Sequence, residues 1–309
     1  MRAETHTEVY RPFLGELKRH PNRALTLAWS GIRVGFRKKL PALMLFTIPA
    51  ISTVVTGFIV QVKFEAESGT LGGVVTEMTG MATPDQAQVM GMLLSNQLGE
   101  VEGLILNLLA QIQFFVVLAM GWYGSGLIAE DKKLRANLLY FARPITRWTY
   151  VLGKLGTAAF WGACAVVIPV TIVCSVAVFT SPDWSFLTER WDTILKIEAY
   201  ALLWVLVHGV LVLTISSLCD RRNYALAGLF GFYFLTTIGS EAMAELLDGT
   251  GWRLMSIPRN FERISDALFA RSSYGIDWAL EASLWALGGL LAVCIAILAR
   301  QTKKMEVGA

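Results

Sequence analysis

Apolar residues fall along this chain in six long blocks, at roughly 40–60, 104–128, 151–179, 197–218, 224–246 and 279–299. Each reaches the roughly 20 residues a helix needs to cross the hydrocarbon core of a bilayer. The pattern therefore predicts an all-α membrane protein with six transmembrane helices, and an even number of spans puts both ends on one side. The segments that would then share the side of the termini are 1–39, 129–150, 219–223 and 300–309, and together they hold 19 Lys and Arg. The alternate segments, 61–103, 180–195 and 247–278, hold 6. Basic loops stay in the cytoplasm, so both termini are predicted to be cytoplasmic. The implied organisation is a cytoplasmic N-terminal segment over 1–39, a six-helix transmembrane domain over 40–300 and a short tail over 301–309.

The shorter stretches between the blocks are patterned too. Leu25, Trp29, Ile32 and Phe36 recur at helical spacing, with Arg23, Ser30, Arg33 and Arg37 on other faces, which predicts a helix lying in the cytoplasmic interface before the first span. Between the second and third blocks, a helix opening at Glu130 would align Leu134, Leu138 and Phe141, with Lys132, Lys133 and Arg135 elsewhere and Asp131 paired to Arg135 at i, i+4. Pro144 disfavours helix at Arg143 and so ends it there, Arg147 adds a further charge, and the next span begins near Tyr150. On the outer side, Thr83-Pro84-Asp85-Gln86 is a helix start and Gly99 a stop, predicting a short helix over 84–98. Trp184, Phe186 and Trp191 have the spacing of an interfacial aromatic belt. Segment 247–278 alternates aromatic and basic residues, is broken by Pro258, and is too polar to cross.

Composition agrees with the pattern. Of 309 residues, 54% are hydrophobic and 17% charged, with a mean hydropathy of +0.52. The net charge of +3 sits where anionic headgroups would be, so membrane lipids are the implied partner and no nucleic acid is needed to explain it. The first 22 residues lack the apolar core of a cleavable leader. Cys164, Cys174, Cys219 and Cys294 fall in spans or at a cytoplasmic end and match no metal motif.

Candidate chemistry is sparse. Asn107, Gln111, Gln113 and His208 are polar groups inside apolar blocks, where such groups face protein or a cavity. They either line a pathway or serve as interhelical hydrogen bonds. Pro49 and Pro169 are expected kinks. Glu241 and Glu245 stand one helical turn apart at the outer end of the fifth block, beside the basic residues of 247–278, Arg259 among them. There is no GxxxxGK[ST] loop, because Gly153-Lys154 lacks the upstream glycine and is followed by Leu155; HExxH and GxSxG are also missing. No catalytic residue, metal set or cofactor of this chain's own is indicated.

The segment 126–154 resembles type-2 ABC transporter permeases, the membrane-spanning subunits of such transporters. The features that carry the likeness are Glu130 and Asp131, the basic run Lys132 to Arg135, the apolar Leu138 to Phe141, the Arg143-Pro144 step, and Tyr150, Gly153 and Lys154 at the start of the next helix. The resemblance extends over about 24–300. It implies an elbow helix (Trp29, Arg33, Phe36 and Arg37 here) and a coupling loop over about 129–150, both docking on a separate ATPase subunit present in two copies that carries the ATP and Mg. It implies a pathway between two permease copies, or one copy and a paralogue. It also implies short surface or re-entrant helices gating the outer exit, where Glu241, Glu245 and Arg259 fall. Export across a bacterial cytoplasmic membrane is the expected direction, and some members work with an extracytoplasmic partner protein. The residues alone also admit an ATP-independent carrier using His208, Glu241 and Glu245, or an assembly scaffold.

Overall fold

A computed structural model describes residues 22–37, 39–68, 96–136, 145–247, 249–269 and 278–307, with Val89, Leu93, Tyr140, Arg271 and Ile276, the side chains of 39–44 and 307 excepted. Every regular element among them is helical. In chain order these are α1 (Arg23–Phe36), α2 (Lys39–Glu67), α3 (Val101–Gly124), α4 (Gly126–Lys133), α5 (Arg147–Ala165), α6 (Val167–Thr180), α7 (Ser185–Glu189), α8 (Trp191–Leu218), α9 (Arg222–Leu246), α10 (Ile257–Leu268) and α11 (Leu280–Val307). Single 3₁₀ turns, Pro182–Trp184 and Thr250–Met255, precede α7 and α10.

Among the described residues, five helical stretches are long and apolar enough to cross a membrane: Leu45–Glu67, Asn96–Lys133, Trp191–Leu218, Arg222–Leu246 and Leu280–Glu306. The pair α5 and α6, bent by 40°, makes a sixth if taken as one span. The break falls at Val166 (φ −129°, ψ −49°), four residues before the ladder resumes through Val170 N–H to the Val166 carbonyl. Pro169 has no N–H to give the Ala165 carbonyl, so the ladder must open one turn ahead of the proline. By contrast, α2 passes through Pro49 as one helix and runs to Glu67, beyond the expected end near 60. There Lys63 donates to the Gly99 carbonyl and pairs with Glu67 at 3.1 Å.

The core gathers around α8. In its apolar window 72% of residues are inside the protein, against 17% for α9 and 22% for α11, so α8 is the axle and the other two lie at the periphery. Small residues set how closely helices meet it: a Cβ on Gly124 would lie 2.8 Å from Val212 Cγ1 of α8. The outer helix expected over 84–98 lies mostly outside the described residues; its stop, Gly99, takes φ +70°, a conformation glycine adopts without strain.

Three local expectations change. Phe186 is buried, edge-on to Phe64 at 6.5 Å, while only Trp184 and Trp191 of the aromatic trio are exposed. Pro258 opens α10 instead of breaking the segment, because the second helical position needs no donor N–H, and Ser256 caps that end by accepting from Arg259 N–H. The last helix continues through Lys303 and Lys304, with Thr302 and Met305 buried, so the tail is largely an extension of α11.

Candidate coupling site and polar groups of the spans

The segment joining the second and third spans is built differently from its expected form. The helix that contains Glu130 starts at Gly126 and ends at Lys133, and Arg135 turns into the left-handed region at φ 53°. Glu130 therefore closes a helix instead of opening one, and the Asp131–Arg135 pair cannot form. Asp131 instead reaches the next span: its Oδ2 lies 2.6 Å from Lys154 Nζ and accepts the Tyr150 hydroxyl at 2.7 Å. Lys154 also sits 5.6 Å above the Tyr140 ring and 5.4 Å above that of Tyr150. Both charged side chains are mostly buried, at 15% and 12% exposure. Burial, with Asp131 nearby as the second cause, pushes the Tyr140 hydroxyl above its ordinary pKa, so it stays protonated at neutral pH.

The break between α3 and α4 has a specific cause. Ser216 of α8 donates to the Ser125 carbonyl at 2.7 Å and accepts from the Ile128 and Ala129 amides, both at 3.1 Å. Its hydroxyl thus occupies the place where Ala129 N–H would meet the Ser125 carbonyl, an insertion that bends or interrupts a helix. On the same side Lys132 donates to the Ser217 and Cys219 carbonyls and pairs with Asp220 at 2.8 Å. That lysine's hydrogen bond holds the Asp220 carboxyl below its usual range. Through Ser216, Lys132 and Asp131, α4 is fastened to both α8 and α5.

Among the described residues, Lys133, Leu134 and Arg135 at this tip are exposed and carry no ion pair, with Leu134 75% exposed. Arg147 is half-buried at the start of α5. Leu138, Phe141, Arg143 and Pro144 lie outside the described residues.

The amphipathic helix α1 packs along α5 through a face of mostly small residues and leaves most of its large apolar ones exposed. Ala28, Ile32 and Gly35 are buried, whereas Leu25, Trp29 and Phe36 are more than half exposed. The reason is close approach: a Cβ on Gly153 would stand 2.7 Å from Leu27 Cβ and 3.0 Å from the Ala24 carbonyl, and one on Gly31 would meet Thr157. Thr157 Oγ1 donates to the Ala28 carbonyl across the contact. The large residues are left facing outward with Arg33, whose guanidinium lies 5.6 Å over Trp29; Arg37 is exposed just past the helix end.

The polar groups of the spans divide. Gln113 donates to the Tyr233 hydroxyl at 3.2 Å, and Tyr233 lies 6.0 Å from the His208 ring. His208 is 2% exposed, stacked on Trp204 at 4.4 Å with Nδ1 at 2.9 Å from the Trp204 carbonyl, while its Nε2 has no partner among the described residues. Asn107 and Gln111, one helical turn apart on α3, face outward with Phe114.

At the other end, Glu241 receives both Arg253 (2.9 Å) and Arg259 (2.8 Å), and Arg259 also reaches Glu262 at 3.0 Å. The hydrogen bond to Glu241 raises the Arg259 guanidinium further above its normal range. Glu245 is exposed and carries no ion pair among the described residues. Sequence reasoning placed Glu241 beside the arginines of 247–278 and named Lys154 as part of the motif that carries the resemblance, though not as the partner of Asp131; it missed Ser216, which gave no signal.

Comparison with curated proteins finds no match. A family model described as ABC-2 family transporter protein matches residues 29–299. That is most of the chain, including α3 to α5 with their locked junction, and the chain therefore belongs to the ABC-2 family of transporter proteins.

Proposed function

We propose that this permease subunit works as an exporter in the cytoplasmic membrane of a bacterium. In this reading two permease copies pair around a common pathway, and two separate ATPase subunits, which carry the ATP and Mg, drive them. Both termini and the Lys133–Arg135 tip face the cytoplasm. The observation that carries the reading is the fastening of α4. An exposed leucine between two basic residues stands at the end of a short helix tied by a buried ion pair to α5 and by an inserted hydroxyl to α8. A push on that tip would move two spans as rigid bodies. Glu130, Lys132, Lys133, Leu134, Arg135 and Arg147, with Leu138, Phe141, Arg143 and Pro144 beyond the described residues, are the proposed docking surface, and α1 with Arg33 and Arg37 flanks it.

Pairing of copies is supported by the outward amides of Asn107 and Gln111. An amide facing hydrocarbon is unfavourable, so a second copy or a wet pathway should cover that stripe of α3. Glu241, Glu245 and Arg259 would hold the outer exit shut. An ion-coupled carrier is less favoured, since Glu241 is occupied by two arginines and His208 has no carboxylate beside it among the described residues.

Purification of the tagged chain from native membranes in mild detergent should recover an ATPase with Walker motifs in equimolar amount. Replacing Leu134, Leu138 and Phe141 by polar residues should leave insertion intact and abolish coupling of ATP hydrolysis to transport. Recovery of the chain alone in several detergents, or coupling that survives those substitutions, would defeat the reading.

A further inference from the structure

The junction of α3 and α4 is held by two side chains from other helices. The Ser216 hydroxyl of α8 accepts from the Ile128 and Ala129 amides and donates to the Ser125 carbonyl. Arg222 of α9 donates to the Trp122 carbonyl at 2.8 Å and lies 4.6 Å over the Trp122 ring. Yet the backbone itself stays close to a continuous helix. Ser125 keeps helical angles, φ −59° and ψ −30°, and its amide still bonds the Gly121 carbonyl at 3.0 Å.

Each group that Ser216 engages has a substitute partner. If the hydroxyl withdrew, the Ile128 and Ala129 amides would have the Gly124 and Ser125 carbonyls four residues back, as any helix offers. The hydroxyl would have the Val212 carbonyl, the same backward bond that Thr214 of this helix makes to Val210 at 2.8 Å. Three contacts are exchanged for three, so hydrogen bonding alone hardly separates the two arrangements. The inserted form is also incompletely satisfied. The Trp122 Nε1–H and the hydroxyls of Tyr123 and Ser125 are buried with no partner among the described residues, and such a concentration of unmet polar groups on one turn marks stored strain. Space is the remaining condition. A Cβ on Gly124 would lie 2.8 Å from Val212 Cγ1, so the approach that lets Ser216 reach the ladder depends on the missing side chain there.

We propose that the α3–α4 junction is a two-state hinge with Ser216 as its latch. In the latched form, the one described above, α8 is keyed into the ladder and its register against α3 is fixed. In the released form the ladder closes, α3 and α4 run on as one straight helix, and α8 can shift along α3. Asp131 still holds α4 to Lys154 of α5, and Lys132 still holds it to the Ser217 carbonyl at the end of α8. Arg222 biases the hinge toward the latched form, because it occupies the Trp122 carbonyl to which the Gly126 amide would bond in a closed ladder. The hinge is a property of this chain alone and is independent of the exporter reading.

The test is pulsed dipolar electron paramagnetic resonance on the full chain in lipid nanodiscs, diluted with unlabelled chain so that only distances within one copy are read. Spin labels go at the exposed positions 111 and 134 on a cysteine-free background, about 35 Å apart along a straight helix. Wild type should give two components, the shorter from the latched form. S216A should change their ratio at least about tenfold toward the longer one, the weight of about one net hydrogen bond. R222Q, on a different helix, should move the ratio in the same direction. Monodisperse elution of each variant would show that it is folded, and R222Q keeps the hinge testable if S216A is not. A single wild-type component overturns the hinge, since one that S216A displaces means a fixed kink and one that S216A leaves in place means no latch. Two components whose ratio neither variant changes overturn it as well.

Discussion

Replacing Lys154 by methionine keeps most of the volume and the apolar stem of the side chain and removes only the charge. Asp131 would then keep the Tyr150 hydroxyl at 2.7 Å but lose its cation at 2.6 Å, in a site where the two side chains are 15% and 12% exposed. Removing one partner of a buried pair destabilises by about 3–5 kcal/mol, since the other is left as an uncompensated charge. The surviving tyrosine and the residual exposure place K154M at the lower end, about 3 kcal/mol. For a chain of this size that is a loss of roughly 6–12 °C in melting temperature. The double variant D131N/K154M removes both charges while keeping an amide to meet Tyr150, and it should recover to within about 1 kcal/mol of wild type. Thermal unfolding of the purified chain in one detergent, followed by tryptophan fluorescence, reads all four corners of the cycle. A K154M melting point within about 2 °C of wild type, or a double variant as unstable as the single one, would refute the idea that this pair locks α4 to α5.

Three further expectations rest on other residues. S216A should cost less than about 1 kcal/mol, because the Ala129 amide can return to the Ser125 carbonyl once the hydroxyl is gone. It should nevertheless move α4, so the distance distribution between spin labels at positions 134 and 224, on a cysteine-free background, should shift; an unchanged distribution contradicts the inserted-hydroxyl account. G153L drives a side chain into Leu27 and the Ala24 carbonyl, and a backbone oxygen cannot yield unless α1 moves, so hydrogen exchange of the α1 amides should accelerate at least about tenfold; unchanged exchange would mean that α1 does not depend on this contact. At Asp266, burial and then the Glu262 charge raise the carboxyl above its ordinary range, and its Oδ2 has no partner among the described residues. A raised folded-state value means folding favours the protonated acid, an advantage present below the ordinary carboxylate range and lost as pH rises through the folded value. D266N should therefore melt higher than wild type at pH 7, with the gap closing in acid; a constant gap across pH would exclude this origin.

The sequence signals that proved legible were those written within one helix. Apolar blocks long enough to span gave helices in every expected place, and the stop at Gly99 was readable from spacing; charge left the arginines of 247–278 to the glutamates or to lipid phosphates, and the structure pairs two of them with Glu241. Signals that need a second helix were not. The apolar spacing of Leu25, Trp29, Ile32 and Phe36 marked a helix, most of whose apolar face is left exposed, but it could not show the contact of the other face with α5, since Gly31 and Gly35 decide where a backbone can approach and contribute almost nothing to an apolar pattern. Asp131 looked paired to Arg135 because i, i+4 is the only partner a linear reading offers, whereas Lys154 is reached only after the chain has turned back. Ser216 in an apolar block resembles any other small residue of a span; that its hydroxyl enters the ladder of α4 depends on two helices meeting at one register.

The same fastening bears on how, in the permease reading proposed above, a push at the Lys133–Arg135 tip would be felt elsewhere in the helical bundle. Ser216 sits near one end of α8, a helix of 28 residues and so about 42 Å long. Toward its other end, Tyr200 donates to the Phe261 carbonyl at 3.0 Å and Trp204 stacks on the Phe261 ring at 4.2 Å. Phe261 belongs to α10, the helix that also carries Arg259, and Arg259 grips Glu241 of α9. One buried helix thus meets α4 through Ser216 near one end and, nearer its middle, packs on Phe261 of the helix whose Arg259 pairs with Glu241. A displacement of α8 along or about its axis cannot be absorbed locally where Phe261 is fully buried against it, because a close-packed interior repacks in discrete steps. The glutamate–arginine cluster is less constrained, since its arginines are partly exposed, and in the permease reading proposed above it is the place where such a step would be released as opening.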